Sequence, residues 1–250
     1  MLEVNNIYQC DVLEGLGMLD DCSIDLIITS PPYNKTALNG NINRSTRRWN
    51  TSISYNGDTK NDMMDEAEYQ EWQIKVLDEC NRVLKNDGSM FYNHKNRIGY
   101  GTGEIISPYK WLLKTPFKVR QEIIWNRGST PNLHNSRYYP TTELIFWLTK
   151  AERPRFKRDA ECRYKNEIWD IVPEKNTEHP APFPIELPDN IIPSIALGER
   201  ITVLDPFIGS GTVALSAIKN GCDYIGFDKY QEYVDMANER IKGTIMAMNG

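Results

Sequence analysis

The sequence predicts an α/β fold built on a doubly wound, mostly parallel sheet of seven strands. Short apolar runs rich in β-branched residues alternate with segments of helical periodicity, which is typical of a parallel sheet covered by helices. One of these runs leads into a glycine-rich turn and then a helical segment, as in nucleotide-binding sheets. The chain has 250 residues, 40% of them hydrophobic, which suits one full-sized core. We therefore predict a single domain over residues 1–250.

The apolar runs place the strands in chain order. The predicted strands are Asn6–Gln9, Ile24–Thr29, Ser89–Tyr92, Glu122–Trp125, Leu144–Leu148, Ile201–Leu204 and Tyr224–Phe227. The clearest helix is Glu66–Leu84, where apolar residues recur every three or four positions and Asn86-Asp87-Gly88 predicts its end. Further helices are predicted over Pro184–Ala196, Thr212–Asn220 and Gln231–Lys242. Trp125 and Trp147 lie within the strand-like runs and are predicted to be core residues.

Two insertions interrupt this alternation, at residues 34–62 and 150–176. Loops of this length inside a compact domain are usually functional or mobile. Both carry basic residues although the formal net charge of the chain is −5. They are Lys35, Arg44, Arg47 and Arg48 in the first insertion, and Arg153, Arg155, Lys157 and Arg158 in the second. The pattern predicts either nucleic-acid contacts or two ordinary solvated loops.

Composition also excludes several classes of protein. No apolar run approaches the length of about 20 residues that a membrane span needs, and the first residues lack a signal-peptide pattern, so we predict a cytoplasmic protein. The 5 cysteines are scattered without a C-x-x-C pair, which predicts reduced thiols rather than disulfides or a zinc site. The 3 histidines show no metal-ligand spacing, and His94 and His134 are predicted to be loop or surface residues.

A nucleoside site is predicted where Ile201–Leu204 leads into Asp205-Pro-Phe-Ile-Gly-Ser-Gly-Thr212. Gly209, Gly211 and Ala214 fit the G-x-G-x-x-G/A spacing that lets a backbone turn sharply and approach a nucleotide. Asp228 ends the next strand and is placed to accept hydrogen bonds from ribose hydroxyls. The spacing alone leaves two alternatives open, an NAD-dependent oxidoreductase and a turn that merely packs a helix on the sheet.

A second candidate site follows the strand Ile24–Thr29, which ends in Ser30-Pro31-Pro32-Tyr33. Open α/β sheets bind ligands at the carboxyl ends of their strands. Two prolines fix the backbone there and donate no hydrogen bonds, which leaves carbonyl groups to accept from a substrate amine. The alternative is a strand-ending corner with an exposed tyrosine.

Taken together, the two motifs resemble those of the amino-methylating DNA methyltransferases, which modify N6 of adenine or N4 of cytosine. The resemblance extends over nearly the whole chain and implies a Rossmann-like class I methyltransferase fold with S-adenosylmethionine as the cofactor. The segments Tyr8–Asp11 and His179–Leu187 resemble further cofactor motifs of this family. The implied cofactor residues are Asp11, Asp205, Pro206, Phe207, Gly209, Ser210, Gly211, Thr212, Asp228, His179, Pro180 and Phe183.

The resemblance also implies the chemistry at the tetrapeptide. The lone pair of an exocyclic base amine is delocalised into the ring, so the enzyme must draw the N–H bonds toward acceptors. We expect the Ser30 side chain and the Pro31 carbonyl to accept hydrogen bonds from the amine. Pro32 is expected to hold the turn, and Tyr33 is expected to stack on the flipped base. The nitrogen then attacks the sulfonium methyl directly. Serine at position 30 favours cytosine-N4 over the alternative, adenine-N6.

The order of motifs resembles the circularly permuted β arrangement of the family. It implies a short target-recognition region at 150–176 and a DNA-facing loop at 34–62, so that the basic residues of the two insertions become candidate DNA contacts. Double-stranded DNA is the expected partner, and a cognate restriction endonuclease and a homodimer stay open. A DNA-binding module without catalysis is a further alternative, which the intact tetrapeptide disfavours.

Overall fold

The computed structural model describes residues 2–34, 64–99, 102–130, 137–158, 162–173 and 183–249. In chain order the strands are β1 Asn6–Gln9, β2 Ile24–Thr29, β3 Leu84–His94, β4 Arg97–Ile98, β5 Ile105–Ile106, β6 Lys118–Asn126, β7 Thr142–Thr149, β8 Ile168–Asp170, β9 Thr202–Asp205 and β10 Asp223–Asp228. The helices are α1 Val12–Gly17, α2 Glu66–Val83, α3 Tyr109–Leu112, α4 Glu186–Ala196, α5 Thr212–Lys219 and α6 Gln231–Asn249.

Within the described residues, the main sheet has eight strands in the order β1-β10-β9-β2-β3-β7-β6-β8. All neighbouring strands are parallel except β7, which is antiparallel to both β3 and β6. The predicted α/β class with a mostly parallel sheet is confirmed. The predicted number of seven strands is wrong, because β8 pairs with β6 at the edge of the sheet. Its three residues lie in the charged second insertion and are too few to show a period of two.

The junction between α2 and β3 also differs from the prediction. The helix ends at Val83 and the strand begins at Leu84, so Asn86-Asp87-Gly88 lies within the strand instead of ending the helix. Ile24 pairs with Leu84 whereas Leu26 pairs with Ser89, so the intervening residues bulge out of the ladder. A Cβ on Gly88 would lie 2.8 Å from the carbonyl oxygen of Asp25, which explains glycine there. The last helix continues to Asn249 rather than ending at Lys242.

Two hydrophobic clusters cover the two faces of the sheet. Successive residues of a strand point to opposite faces, so Leu26 and Ile28 join one cluster while Ile27 joins the other. Helices α4 and α5 contribute to the first cluster, and α2 contributes to the second. Trp125 and Trp147 are buried, which confirms their prediction as core residues. Within the described ranges, no helix combines the length and apolar character needed to cross a membrane.

The order of strands reverses between β9 and β2. From β9 the chain crosses through α5 to β10 on one side, and from β2 it crosses through α2 to β3 on the other. Such a switch point opens a crevice at the carboxyl ends of the two strands, where α/β sheets bind their ligands. These ends carry Asp205 and Thr29, so the fold itself brings the two predicted motifs together.

Candidate active site

A buried hydrogen bond joins the two motifs at the switch point. Thr29 Oγ1 donates to Asp205 Oδ1 at 2.8 Å, although the two residues are 176 positions apart in the chain. Thr29 is 1% exposed and Asp205 is 5% exposed. Asp205 Oδ1 also accepts from the backbone N–H of Phe207 at 3.0 Å, so the turn after β9 begins in a fixed geometry. The glycine turn and the Ser30 tetrapeptide therefore share one edge of the sheet.

The glycine turn lies over the end of β10. Gly209 N–H donates to Asp228 Oδ2 at 3.1 Å, and Ile208 N–H donates to the Phe227 carbonyl at 2.9 Å. From α6, the Arg240 guanidinium donates to the Ser210 carbonyl and hydroxyl. Sequence reasoning missed Arg240, because helical periodicity gives no sign of which distant loop a polar side chain will reach. The turn is thus held from both the strand and the helix.

Three acidic residues lie at the ends of three strands at this edge. Burial raises the pKa of Asp205 to about 7 and the pKa of Asp228 to about 6, against the lowering effect of the hydrogen bonds that each accepts. Asp11 follows β1, whose Gln9 pairs with Asp228, and its Oδ1 caps α1 by accepting from Leu13 N–H at 3.0 Å. A partly buried acidic edge of this kind suits a ligand with a cationic group and several hydroxyl groups.

Gly211 allows the close approach between the turn and α6. Its φ is +82°, and a Cβ placed on it would lie 2.9 Å from the Ala237 Cβ. We expect Gly211→Ala to lower the free energy of unfolding by about 2–4 kcal/mol, from left-handed backbone strain and overpacking combined. Urea denaturation measures the change. Gly221→Ala is the matched control, since Gly221 has a φ of +67° and a Cβ placed on it would meet nothing within 4 Å. An equal loss of stability in both variants would contradict the contribution of overpacking against Ala237.

At the other side of the switch point, a buried polar network surrounds the tetrapeptide. Ser30 Oγ lies 2.8 Å from the Tyr33 hydroxyl, which also contacts Asn93 Oδ1 at 2.8 Å and Glu143 Oε2 at 3.2 Å. Arg127 Nη1 donates to Glu143 Oε1 at 2.7 Å. Tyr33 is only 6% exposed, so the alternative of a simple corner with an exposed tyrosine does not describe this turn.

A second set of hydrogen bonds fixes the proline turn. The Tyr69 hydroxyl donates to the Pro32 carbonyl at 2.6 Å and accepts from Gln73 Nε2 at 2.8 Å. Its oxygen also lies 2.8 Å from His94 Nε2. The prediction of His94 as a loop or surface residue is wrong, because it ends β3, is fully buried and lies with its ring 4.6 Å from the Tyr33 ring.

Sequence reasoning missed Asn93 and Glu143, although a signal for them existed. Asn93 comes directly after the predicted strand Ser89–Tyr92, and Glu143 comes directly before the predicted strand Leu144–Leu148. The amino end of an antiparallel strand lies beside the carboxyl end of its neighbour, and Asn93 indeed faces Ile145 across the β3–β7 ladder. Polar residues at these two strand ends are thus expected at the same edge of the sheet.

The described residues do not include every predicted site residue. Lys35, Arg44, Arg47, Arg48, His179 and Pro180 lie outside the described residues. Phe183 lies with its ring 6.5 Å from that of Trp125, near the carboxyl end of β6. Trp125 pairs with Glu143 across the β6–β7 ladder, so Phe183 lies on the Glu143 side of the site, with β7 and β3 between β6 and β2.

The basic residues of the second insertion follow β7, and Arg155 and Lys157 among them lie toward the opposite edge of the sheet, where the parallel strands begin. Arg155 N–H donates to the Asp87 carbonyl near the start of β3, and its guanidinium pairs with Glu199 at 2.9 Å. Lys157 N–H donates to the Ser194 carbonyl near the end of α4. Arg153 and Arg158 flank these two residues in the same loop after β7. This placement separates Arg155 and Lys157 from Ser30, since a strand's two ends lie at opposite edges.

Comparison with known proteins gives a consistent pattern. The family model described as DNA methylase, for N6- and N4-specific enzymes, matches residues 24–239. The Type II methyltransferase M.BglII of Bacillus subtilis is 28% identical over 274 residues, covering 96% of this chain and 69% of the relative. The Type II methyltransferase M.HinfI of Haemophilus influenzae is 26% identical, covering 96% of this chain and 68% of the relative.

Solved structures show the same fold. The cytosine-N4-specific PvuII DNA methyltransferase superposes with a TM-score of 0.74 at 22% identity, covering 95% of this chain and 90% of that one. A putative DNA modification methylase of Thermus thermophilus, complexed with S-adenosyl-L-methionine, has a TM-score of 0.68 at 21% identity. That superposition covers 96% of this chain and 95% of the other.

Proposed function

The chain belongs to the DNA methylase family of N6- and N4-specific enzymes, and on that premise we propose that Ser30–Tyr33 and Asp205–Thr212 form its methyl-transfer site. Members of this family transfer a methyl group from S-adenosylmethionine to an exocyclic base amine in DNA. The observation that carries the assignment of the site is the buried Thr29–Asp205 hydrogen bond of 2.8 Å. It supports a methyl donor bound at one motif and an amine held at the other.

The acidic edge supports the cofactor half of the proposal. S-adenosylmethionine carries an ammonium group on its methionine part and hydroxyl groups on its ribose. The carboxylate of Asp205 and the backbone of the turn, from Pro206 to Thr212, would hold the methionine part. Asp228 would hold the ribose and Asp11 would contact the adenine, while His179, Pro180 and Phe183 remain candidates from the resemblance alone. The bound cofactor supplies an electrophilic methyl group on a sulfonium.

The tetrapeptide supports the substrate half. The Ser30 side chain and the Pro31 carbonyl would accept hydrogen bonds from the two N–H groups of the amine. These hydrogen bonds free the nitrogen lone pair for attack on the methyl group. Pro32 keeps the turn rigid, because Tyr69 holds its carbonyl oxygen at 2.6 Å. Tyr33 would stack on the base after it leaves the duplex, which is worth about 1–3 kcal/mol and helps offset the cost of unpairing.

We propose N4 of cytosine as the target atom, on the basis of serine at position 30. The test incubates the purified protein with S-adenosylmethionine and unmethylated plasmid DNA, followed by mass spectrometry of the nucleosides. N4-methylcytosine is the expected product. N6-methyladenine alone would overturn the choice of base, and no methylated nucleoside at all would overturn the function. Sequencing methylated DNA from expressing cells would give the recognition site.

The partners follow from this function. DNA is the substrate of the family, and we propose that it is double-stranded and contacted by the first insertion. A cytoplasmic location and a cognate restriction endonuclease belong to the same proposal. For a homodimer the described residues offer no specific support beyond the resemblance.

Cofactor binding is expected to weaken at acidic pH. The Asp205 carboxylate must be ionised to pair with the ammonium group, and burial raises its pKa to about 7. Below pH 7 the affinity for S-adenosylmethionine should therefore fall by about tenfold per pH unit, since each unit lowers the ionised fraction about tenfold. Isothermal titration calorimetry at a series of pH values on both sides of this pKa measures the trend. An affinity independent of pH over the series would contradict the assignment of Asp205.

A further inference from the structure

The buried network around Tyr33 determines which way the Ser30 hydroxyl donates. The Tyr33 oxygen contacts two acceptors, Asn93 Oδ1 at 2.8 Å and Glu143 Oε2 at 3.2 Å. Arg127 Nη1 forms an ion pair with Glu143, donating to its other carboxylate oxygen at 2.7 Å. Asn93 Nδ2 donates to the Leu144 carbonyl at 3.2 Å, so its amide oxygen must face Tyr33. Both partners can therefore only accept from the phenol.

A tyrosine hydroxyl has a single proton to give. Burial, and then the negative charge of Glu143, raise the pKa of Tyr33 well above its usual value, so the phenol keeps this proton. If the proton pointed at Ser30, two buried acceptors would face a bare oxygen, which is costly. The proton is therefore directed toward Asn93 and Glu143. Ser30 Oγ, 2.8 Å from the same oxygen, must then donate its own proton to Tyr33.

We propose that Tyr33, Asn93 and Glu143 act together to make Ser30 a hydrogen-bond acceptor toward the substrate amine. A serine hydroxyl that rotates freely both donates and accepts, whereas amine activation needs acceptors. With its proton committed to Tyr33, Ser30 presents only lone pairs to the base and behaves as a carboxylate oxygen would. Asn93 and Glu143 are positioning residues, and the Tyr33 hydroxyl has a role separate from that of its ring. This inference rests on the proposed methyl transfer to a base amine.

The test asks whether the Tyr33 hydroxyl matters only while residue 30 is a serine. Tyr33→Phe keeps the ring and removes the oxygen, and should lower kcat by about 10-fold to 50-fold, the effect of losing one oriented hydrogen bond in a dry site. Ser30→Asp supplies an acceptor that needs no orientation. In the Ser30→Asp background, the additional loss from Tyr33→Phe should shrink to less than about threefold, as a double-mutant cycle would show.

Tyr109→Phe is the matched control, because the Tyr109 hydroxyl also donates to a glutamate, Glu122, but outside this network. It should leave kcat unchanged. Cofactor affinity, measured by calorimetry, should be retained in every variant as evidence of folding. An equal loss from Tyr33→Phe in both backgrounds, or no loss in either, would overturn the proposal. Failure of the wild-type protein to methylate DNA would instead overturn the proposed function itself.

A second variant covers the case in which Ser30→Asp does not fold or bind cofactor. In Glu143→Gln, Arg127 holds the amide oxygen, so the amide N–H groups turn toward Tyr33 and compete with Ser30 as donors. We expect kcat to fall by about threefold to tenfold while the cofactor affinity is unchanged. An unchanged kcat would overturn the proposal, because this isosteric variant preserves packing.

Discussion

Ser30→Ala is expected to lower kcat for methyl transfer by at least about 100-fold, the usual effect of removing one oriented hydrogen bond to the reacting group in a preorganised site. The alanine removes an acceptor for the amine and leaves the Tyr33 oxygen without the Ser30 hydroxyl that lies 2.8 Å from it. Cofactor affinity should be nearly unchanged, since Ser30 belongs to the substrate half. Single-turnover transfer of a labelled methyl group to DNA measures the step.

Ser194→Ala is the control for Ser30→Ala. The Ser194 hydroxyl is also buried and donates to the Ile191 carbonyl at 2.6 Å, but within α4 and away from the site. It should cost about 1 kcal/mol of stability and leave kcat unchanged. A kcat for Ser30→Ala within about threefold of wild type, less than the usual effect of losing one hydrogen bond to a reacting group, would remove Ser30 from the mechanism.

Asp205→Asn is expected to weaken binding of S-adenosylmethionine by about 30-fold to 1,000-fold, which corresponds to about 2–4 kcal/mol for removing one partner of a buried charge pair. The amide keeps an oxygen that can accept from Thr29 Oγ1 and Phe207 N–H, so both hydrogen bonds that fix this turn are retained. What is lost is the negative charge. Calorimetric titration at pH 8, about one unit above the pKa of Asp205, reports the difference.

The same substitution should not destabilise the protein without cofactor at pH 8. Burial raises the pKa of Asp205 in the folded protein to about 7, above the value of about 3.9 in an unfolded chain. The folded protein thus binds this proton more tightly, and wild type loses stability as the pH rises from about 4 to about 7. Asparagine does not titrate, so urea denaturation at pH 8 should show the variant to be at least as stable as wild type.

Asp25→Asn tests whether the cofactor effect is specific to Asp205. Asp25 lies on β2, beside β9, and its Oδ2 accepts from Thr202 N–H at 3.0 Å toward the opposite edge of the sheet. This variant should bind the cofactor normally and keep the wild-type pH dependence. If Asp205→Asn also bound normally, the ammonium group would have to be held elsewhere.

The site was predictable from the sequence where local backbone chemistry defines it. Gly209 and Gly211 adopt positive φ, and the two prolines follow closely after β2. The residue types alone therefore indicate both turns. The strands and helices around them follow from periodicity. The eighth strand and the bulge before Ser89 escaped prediction, because a three-residue edge strand and a ladder irregularity leave no period to detect.

The sequence by itself determined the fold class, the order of the elements and the two turns that carry the proposed site, since each depends on nearby residues. Only the tertiary structure decided that Tyr33 is buried against Asn93 and Glu143, which lie 60 and 110 positions further along the chain. It also decided the raised pKa of Asp205 and the position of Arg155 at the far edge of the sheet. These properties depend on which strands become neighbours and in what register, and no local pattern of residues encodes that arrangement.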